Sequence, residues 1–317
     1  MNTQRLANML DTAIAFDTET HKIQPGLVAP PLVCASVARW EAATHRARGA
    51  LLDREQARSV FLELLKNYGF TIVGANIAFD MIVMAVDFGK RGIDIIPDIF
   101  AAYEAGRVFD VQLAEALHGI ALGLLGKDPR TGKKLADPIT KKPGRYSLAV
   151  VSDLVLGRKG AKANDRFRQS YALLEDIPHE AWPTEAKEYP IDDAVNTLEN
   201  GLAQAGRIEN VGVHDWDEYQ KCRKCGGRLI TGTGPLCLSK VPRQNLHDLS
   251  TQCYTHFAMA LGAAWGLTPD PIAVARLKYE ATKDQAEDVK PFIAAGIIRA
   301  ADPALPAWIF IGRIPSS

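Results

Sequence analysis

The run Ala13-Ile-Ala-Phe-Asp-Thr-Glu-Thr20 constrains this chain more than any other stretch. It reads as a short, buried strand that ends in two acids. Side chains two apart on a strand share a face, so Asp17 and Glu19 aim at one spot. Ala13 and Ala15 keep that face small, while Ile14 and Phe16 fill the other. Like charges at the end of an apolar strand are costly unless something neutralises them. A divalent cation held through oxygen is the most economical neutraliser. Such a chain should bring further acids to the same place from distant positions.

The 317 residues suffice for one large domain or two ordinary ones. Lys+Arg and Asp+Glu both number 37, and a net charge of zero argues against non-specific coating of nucleic acid. A local basic path is still compatible with it. The apolar run at 12–16 is too short for a signal peptide and is flanked by Asp17 and Glu19. No apolar run is long enough to cross a membrane, so no membrane partner is expected. Cys34 stands alone and the other cysteines fall between 222 and 253, too sparse for a disulfide framework. The expected location is a reducing cytoplasm, bacterial or phage-infected.

Three apolar or alternating runs, 12–18, 32–40 and 44–52, read as strands, the second and third as a hairpin. Asp53 and Gln56 form a capping box for a helix that Gly69 ends. Residues 71–74 read as a buried strand, Ile77–Gly89 as an apolar helix, and Ile93–Ile96 as another short strand. A helix is expected from Phe109 to about Gly123, one capped by Ser147 and stopped by Gly157, and one over about 184–207. The stretch 126–145 reads as an exposed basic loop. With Arg158, Lys159, Lys162, Arg166 and Arg168 it offers a path for a nucleic-acid backbone, although a solvated loop is its ordinary reading. Together these elements predict an α/β fold, a mixed sheet flanked by helices.

Three further residues can join the acid pair. Asp80, in Asn76-Ile-Ala-Phe-Asp80, would project from the end of the 71–74 strand. Tyr189 and Asp193 lie four apart, on one face of the last long helix. Four carboxylates suit two divalent ions with open positions for substrate, an arrangement for in-line attack on a phosphodiester. Pro190, directly after Tyr189, should either kink the helix or open a new segment as its first residue. An isolated Asp or Glu is ordinarily a solvated or capping acid; the set carries the reading. Asp192 is expected on the exposed side and His21 at the surface.

Asp17-Thr-Glu19, Asn76-x-x-Phe-Asp80 and Tyr189-x-x-x-Asp193 resemble, in order and spacing, the three motifs of the DEDD 3′–5′ exonucleases of the tyrosine-containing subclass. The segments Phe109-Asp-Val-Gln-Leu-Ala114 and Tyr146-Ser-Leu-Ala149 resemble that family's helix signatures. The resemblance covers about residues 10–210 and implies an RNase H-like fold, similar to the proofreading domain of phage-type family A DNA polymerases. It implies two Mg²⁺ or Mn²⁺ ions held by Asp17, Glu19, Asp80 and Asp193, with Asp17 bridging both. It also implies that Tyr189, with Glu19, positions the attacking water.

Cys222-Arg-Lys-Cys225-Gly226 has the form of half a zinc knuckle. Cys237 is a third candidate, and Cys253, His247 or His256 would be the fourth ligand of one structural Zn²⁺; free thiols in a loop are the alternative. Residues 246–270 resemble the segment after the exonuclease in phage-type family A polymerases, and helices are expected at about 247–265, 271–283 and 285–295, with a late strand at 307–311. The expected organisation is an exonuclease domain over 1–210, a Cys-rich segment over 211–245 and a small helical region over 246–317. No palm carboxylates or fingers helix are evident, so polymerisation is not expected of this chain.

The expected activity is metal-dependent 3′–5′ hydrolysis of single-stranded or frayed DNA ends in proofreading, replication or repair. A separate DNA polymerase subunit is the expected partner. The alternatives are an RNA-trimming exonuclease and a non-catalytic assembly subunit of a polymerase.

Overall fold

The computed structural model describes residues 6–24, 27–129, 132–136, 146–158, 167, 170–208, 229–230, 236–237, 248–264, 279–280 and 283. The chain divides into two compact units, residues 1–265 and 266–317. The first holds the sheet and helices described below.

A short helix, α1 (Met9–Thr12), leads into β1 (Ala13–Thr20). Then come β2 (Leu32–Glu41), β3 (Arg46–Leu52), α2 (Arg54–Lys66), β4 (Thr71–Gly74), α3 (Ile77–Gly89), α4 (Ile96–Glu104), β5 (Val108–Asp110) and α5 (Val111–Ala121). After these follow α6 (Leu148–Leu156), the 3₁₀ turns Tyr171–Leu174 and His179–Ala181, and α7 (Thr184–Gln204). A small antiparallel pair, β6 (Leu229–Ile230) with β7 (Leu236–Cys237), precedes α8 (Leu249–Ala264). The main sheet runs β3-β2-β1-β4-β5. The β3-β2-β1 side is antiparallel and the β1-β4-β5 side is parallel. This is a mixed five-stranded sheet with flanking helices, the α/β architecture expected from the sequence.

The two faces of β1 explain the layering. Phe16 points to the α2 side, where its ring lies 5.0 Å from that of Phe61. Ala13 and Ala15 alternate to the other side, and their small size lets α7 lie across β1, β2, β3 and β4. Two glycines set how close α7 comes. A Cβ on Gly49 would fall 2.7 Å from Cγ2 of Ile191, and one on Gly201 would fall 2.8 Å from Cγ1 of Val73. The hydrophobic core fills both interfaces, with Ile72, Val73, Phe61, Met81, Met84, Leu198 and Leu202 fully buried.

Several expectations change. Ile93–Ile96 is not a strand: Pro97 suits a first helical turn, Asp94 accepts a hydrogen bond from the Ile96 N–H, and α4 begins there. The fifth strand is β5, three residues long and running straight into α5, where sequence periodicity showed only helix. The capping box of Asp53 and Gln56 is present, but α2 stops at Lys66, before Gly69. The buried guanidinium of Arg107 takes the carbonyls of Leu64, Leu65 and Asn67 and so closes that helix end. Ser147 occupies the N-cap position of α6, but its side chain makes no cap hydrogen bond. Pro190 does not open a new segment; it sits inside α7, a continuous helix of 21 residues. Within the basic loop, Lys127 bridges to Lys134 and Leu135 is buried; most of the stretch lies outside the described residues.

Helix α8 packs on α3, α4, α5 and β5. Phe257 stacks on Tyr103 at 5.0 Å between centroids and meets Phe100 edge-on, while Leu249, Cys253 and Leu261 are buried beside it. No helix among the described residues is long and apolar enough to cross a membrane. The expected helices at 271–283 and 285–295 and the strand at 307–311 lie outside the described residues, apart from three positions.

Candidate active site

The site forms where β1 and β4 end and α3 and α7 pass. Asp17, Glu19, Asp80, Tyr189 and Asp193 all line one cavity of about 820 Å³. Asp17 and Glu19 reach it from β1 by the alternation read in the sequence. The pairing of β1 with β2 shifts register between Glu19 and Thr20, an irregularity that ends the regular ladder where the acids must be aimed. Asp80 comes from the first turn of α3, whose start at Asn76 adopts a left-handed conformation with φ 65°. Tyr189 and Asp193 come from successive turns of α7. Glu19, Asp80 and Asp193 are buried, at 8%, 3% and 5% exposure. Asp192, one step round the helix, is exposed.

Asp80 carries the clearest electrostatic signature. Its Oδ1 accepts from the Thr18 N–H at 2.9 Å and from the Thr18 hydroxyl at 2.6 Å. Burial pushes its carboxyl well above the usual range, the charge of Asp17 pushes it further, and the Thr18 bonds only partly offset this. A carboxylate in that position asks for a proton or a cation. Burial, and then Glu19 and Asp17, likewise raise the neighbouring thiol of Cys34. Lys22 is the one Lys or Arg among the described lining residues, so the cavity is dominated by acid.

The donor set is chemically right for hard divalent cations: carboxylate oxygens, partly buried, with a phenol and an open cavity alongside. Among the described residues, no three His, Cys, Asp or Glu side chains are gathered tightly enough to enclose an ion. The fit therefore rests on donor chemistry and on the uncompensated charge at Asp80.

Behind the site, Tyr171 is fully buried. Its ring lies 6.4 Å from that of Tyr189 and 5.9 Å from that of Trp182. Burial, then Glu19, Cys34, Asp193 and Asp17, push its phenol far up, so it stays a neutral donor. Asp110 is a second supporting residue. Its Oδ2 accepts from the Ile77 N–H at the start of α3, and its Oδ1 from Gln112 and Leu113 at the start of α5. At the rim, His21 lines the cavity and lies 2.7 Å from Glu175, which also takes Arg54 at 2.6 Å. Sequence reasoning placed His21 at the surface without a role. Thr18 could have been noticed as the residue between the two acids, and Asp110 lay within a quoted motif. Tyr171 left no periodic signal.

The cysteine expectation finds little footing. Cys222 and Cys225 lie outside the described residues, as does the side chain of Cys237. Cys253 is buried in the core under α8, its thiol raised mainly by burial and by the charge of Asp110.

An acidic cavity at the end of a central strand, built from a strand pair, a strand–helix turn and a helix, defines the class: a nuclease of the DEDD 3′–5′ exonuclease superfamily. Residues 3–199 match the family described as 3′–5′ exonuclease, and the chain belongs to that family. It is accordingly a hydrolytic nuclease. No curated protein matches the chain. Among solved structures, it is similar to the catalytic core of RRP6 from Trypanosoma brucei, with 15% identity, TM-score 0.37, and coverage of 65% of this chain and 44% of that one. It is also similar to the Nibbler EXO domain of Aedes aegypti, with 13% identity, TM-score 0.39 and coverage of 64% and 83%. Escherichia coli RNase D, an exoribonuclease involved in structured RNA processing, gives 16% identity, TM-score 0.36 and coverage of 65% and 44%. The match thus spans under half the length of the RRP6 and RNase D chains.

Proposed function

We propose that this site removes nucleotides from the 3′ end of single-stranded or frayed DNA, releasing nucleoside monophosphates, in the service of a DNA polymerase on a separate chain. The observation that carries the reading is the meeting of Asp17, Glu19, Asp80, Tyr189 and Asp193 in one cavity. The choice of DNA follows the resemblance of the motif set to the proofreading domain of phage-type family A DNA polymerases.

Asp17, Glu19 and Asp193 would hold one divalent ion, and Asp17 and Asp80 the second. When bound, two such ions lower the charge of the scissile phosphate and sharpen the nucleophilicity of water. The side chains do the rest. Thr18 fixes the rotamer of Asp80, so its negative charge stays at the end of β1. Tyr189, with Glu19, orients the attacking water from the side of α7.

Incubation of the full chain with Mg²⁺ or Mn²⁺ and single-stranded, mismatched and fully paired 3′ ends, as DNA and as RNA, tests the reading. Activity should be highest on unpaired DNA ends, vanish in chelator, and fall at least about a thousandfold in Asp17→Ala and Asp193→Ala, the scale of losing essential electrostatic stabilisation. Full activity in Asp17→Ala would sink the site assignment. Faster turnover of RNA would overturn the choice of substrate.

A further inference from the structure

We infer that His256, on α8, contacts the substrate strand upstream of the bond being cut, so that a helix outside the exonuclease motifs forms part of the nucleic-acid path. The inference rests on the site assignment above and concerns a residue beyond the matched family region, which ends at 199.

Three observations lead to it. First, α8 is built into the exonuclease unit. Phe257 and Cys253 are buried against Tyr103 and β5, which fixes the helix rotation. His256, adjacent to Phe257, is therefore held at a set position, half-buried and not free to swing with a loop. Second, His256 lines the same cavity as the five candidate catalytic side chains. Third, the described residues around it give it no other task. Asp110, whose carboxyl the His256 ring acts on through space, already accepts three backbone N–H bonds, and no hydrogen bond ties the His256 ring among the described residues.

Position decides which part of the strand His256 meets. Asp110 ends β5, two strands from β1 across the sheet. Two strand spacings place that part of the cavity roughly 10 Å from the strand that carries Asp17. A residue there stands to the side of the acids rather than among them. It can reach the sugar-phosphate units that precede the scissile phosphate, where an imidazole donates to a phosphate oxygen or stacks on a base. Gln112, Leu113 and Ala116 of α5 line the same part of the cavity and supply a floor for that strand.

The test separates strand contact from chemistry. Thymidine 5′-monophosphate p-nitrophenyl ester has a cleavable phosphodiester and no upstream strand; a single-stranded oligodeoxynucleotide has both. With the full chain, His256→Ala should raise KM for the oligonucleotide about tenfold, the scale of one charge-assisted hydrogen bond. It should leave kcat, and all turnover of the ester, unchanged. His256→Asn should restore most of the affinity by keeping a donor. A folded His256→Ala chain, verified by its thermal midpoint, whose KM for the oligonucleotide is unchanged overturns the inference. So does an equal loss on both substrates. Asp17→Ala, run in parallel, keeps the two levels apart: if it retains activity the site assignment falls, whereas if it is dead and His256→Ala is indistinguishable from wild type, only the present inference falls.

Discussion

The hydroxyl of Tyr171 donates to the carbonyl of Ala186 at 2.9 Å, the carbonyl that Pro190 leaves without its helical partner. In an unbroken helix the N–H of residue 190 would serve it, and proline has none. One buried phenol thus repairs the defect beside Tyr189. One turn on, the Ser36 hydroxyl donates to the Pro190 carbonyl at 2.7 Å and ties the helix to β2.

This pairing predicts a non-additive cycle. Tyr171→Phe should cost about 1–2 kcal/mol, because it strands a buried carbonyl. In a Pro190→Ala background the helix regains its own N–H, and the same change should cost clearly less. Urea unfolding of the four proteins measures the coupling. Equal costs in both backgrounds would show that the hydroxyl is not filling the gap.

Thr18 and Asp80 make the second prediction. Thr18→Val keeps the backbone N–H bond to Asp80 and removes the hydroxyl bond. Supporting bonds of this kind are worth about 10–100-fold in metal affinity or activity. The Mg²⁺ concentration for half-maximal activity should rise by at least about tenfold in Thr18→Val. Thr18→Ser should behave like wild type. A metal titration unchanged in Thr18→Val would remove Thr18 from the account.

Charge at Asp80 makes a third. The carboxylate is buried and repelled by Asp17. In chelator, Asp80→Asn should therefore stabilise the fold, on the order of 1 kcal/mol, since the amide oxygen can still accept from Thr18. The same variant should lose activity. A lower thermal midpoint for Asp80→Asn in chelator contradicts the electrostatic reading.

Close packing under α7 makes the fourth. Gly49→Ala would set a methyl 2.7 Å from Ile191 Cγ2 and 3.2 Å from the Ile191 carbonyl. Ile191 lies between Tyr189 and Asp193, so the helix must shift where it carries both. A stability loss of about 1–3 kcal/mol is expected, with a drop in kcat larger than at a remote site of equal destabilisation. Matching a core variant of equal stability loss on the α2 side, such as Leu64→Val, provides the comparison.

Much of the site was legible because its geometry follows short-range periods. Asp17 and Glu19 share a face by the alternation of a strand, and Tyr189 and Asp193 by the turn of a helix. Their meeting with Asp80 needed the motif order, which no single element supplies. The rest was hidden for physical reasons. Strand β5 has three residues, too few for any period, and its Asp110 reads locally as a helix start. Helix α4 looked like a strand because Ile93, Ile95 and Ile96 are β-formers, while the turn chemistry of Asp94 and Pro97 won. Tyr171 sits in a single 3₁₀ turn, far in sequence from the carbonyl it serves. The proline was the clue: a missing donor at 190 requires one from somewhere else.

The clasp at Asp110 has a mechanical consequence. A single carboxylate grips amides from the starts of both α3 and α5. Those two helix ends must then translate as one piece, because separating them would strip a buried charge of its partners. A strand threading the cavity meets an anvil on that side. Any yielding of the cavity then falls to the opposite side, where a helix with a proline in its first half leans on a borrowed phenol hydroxyl.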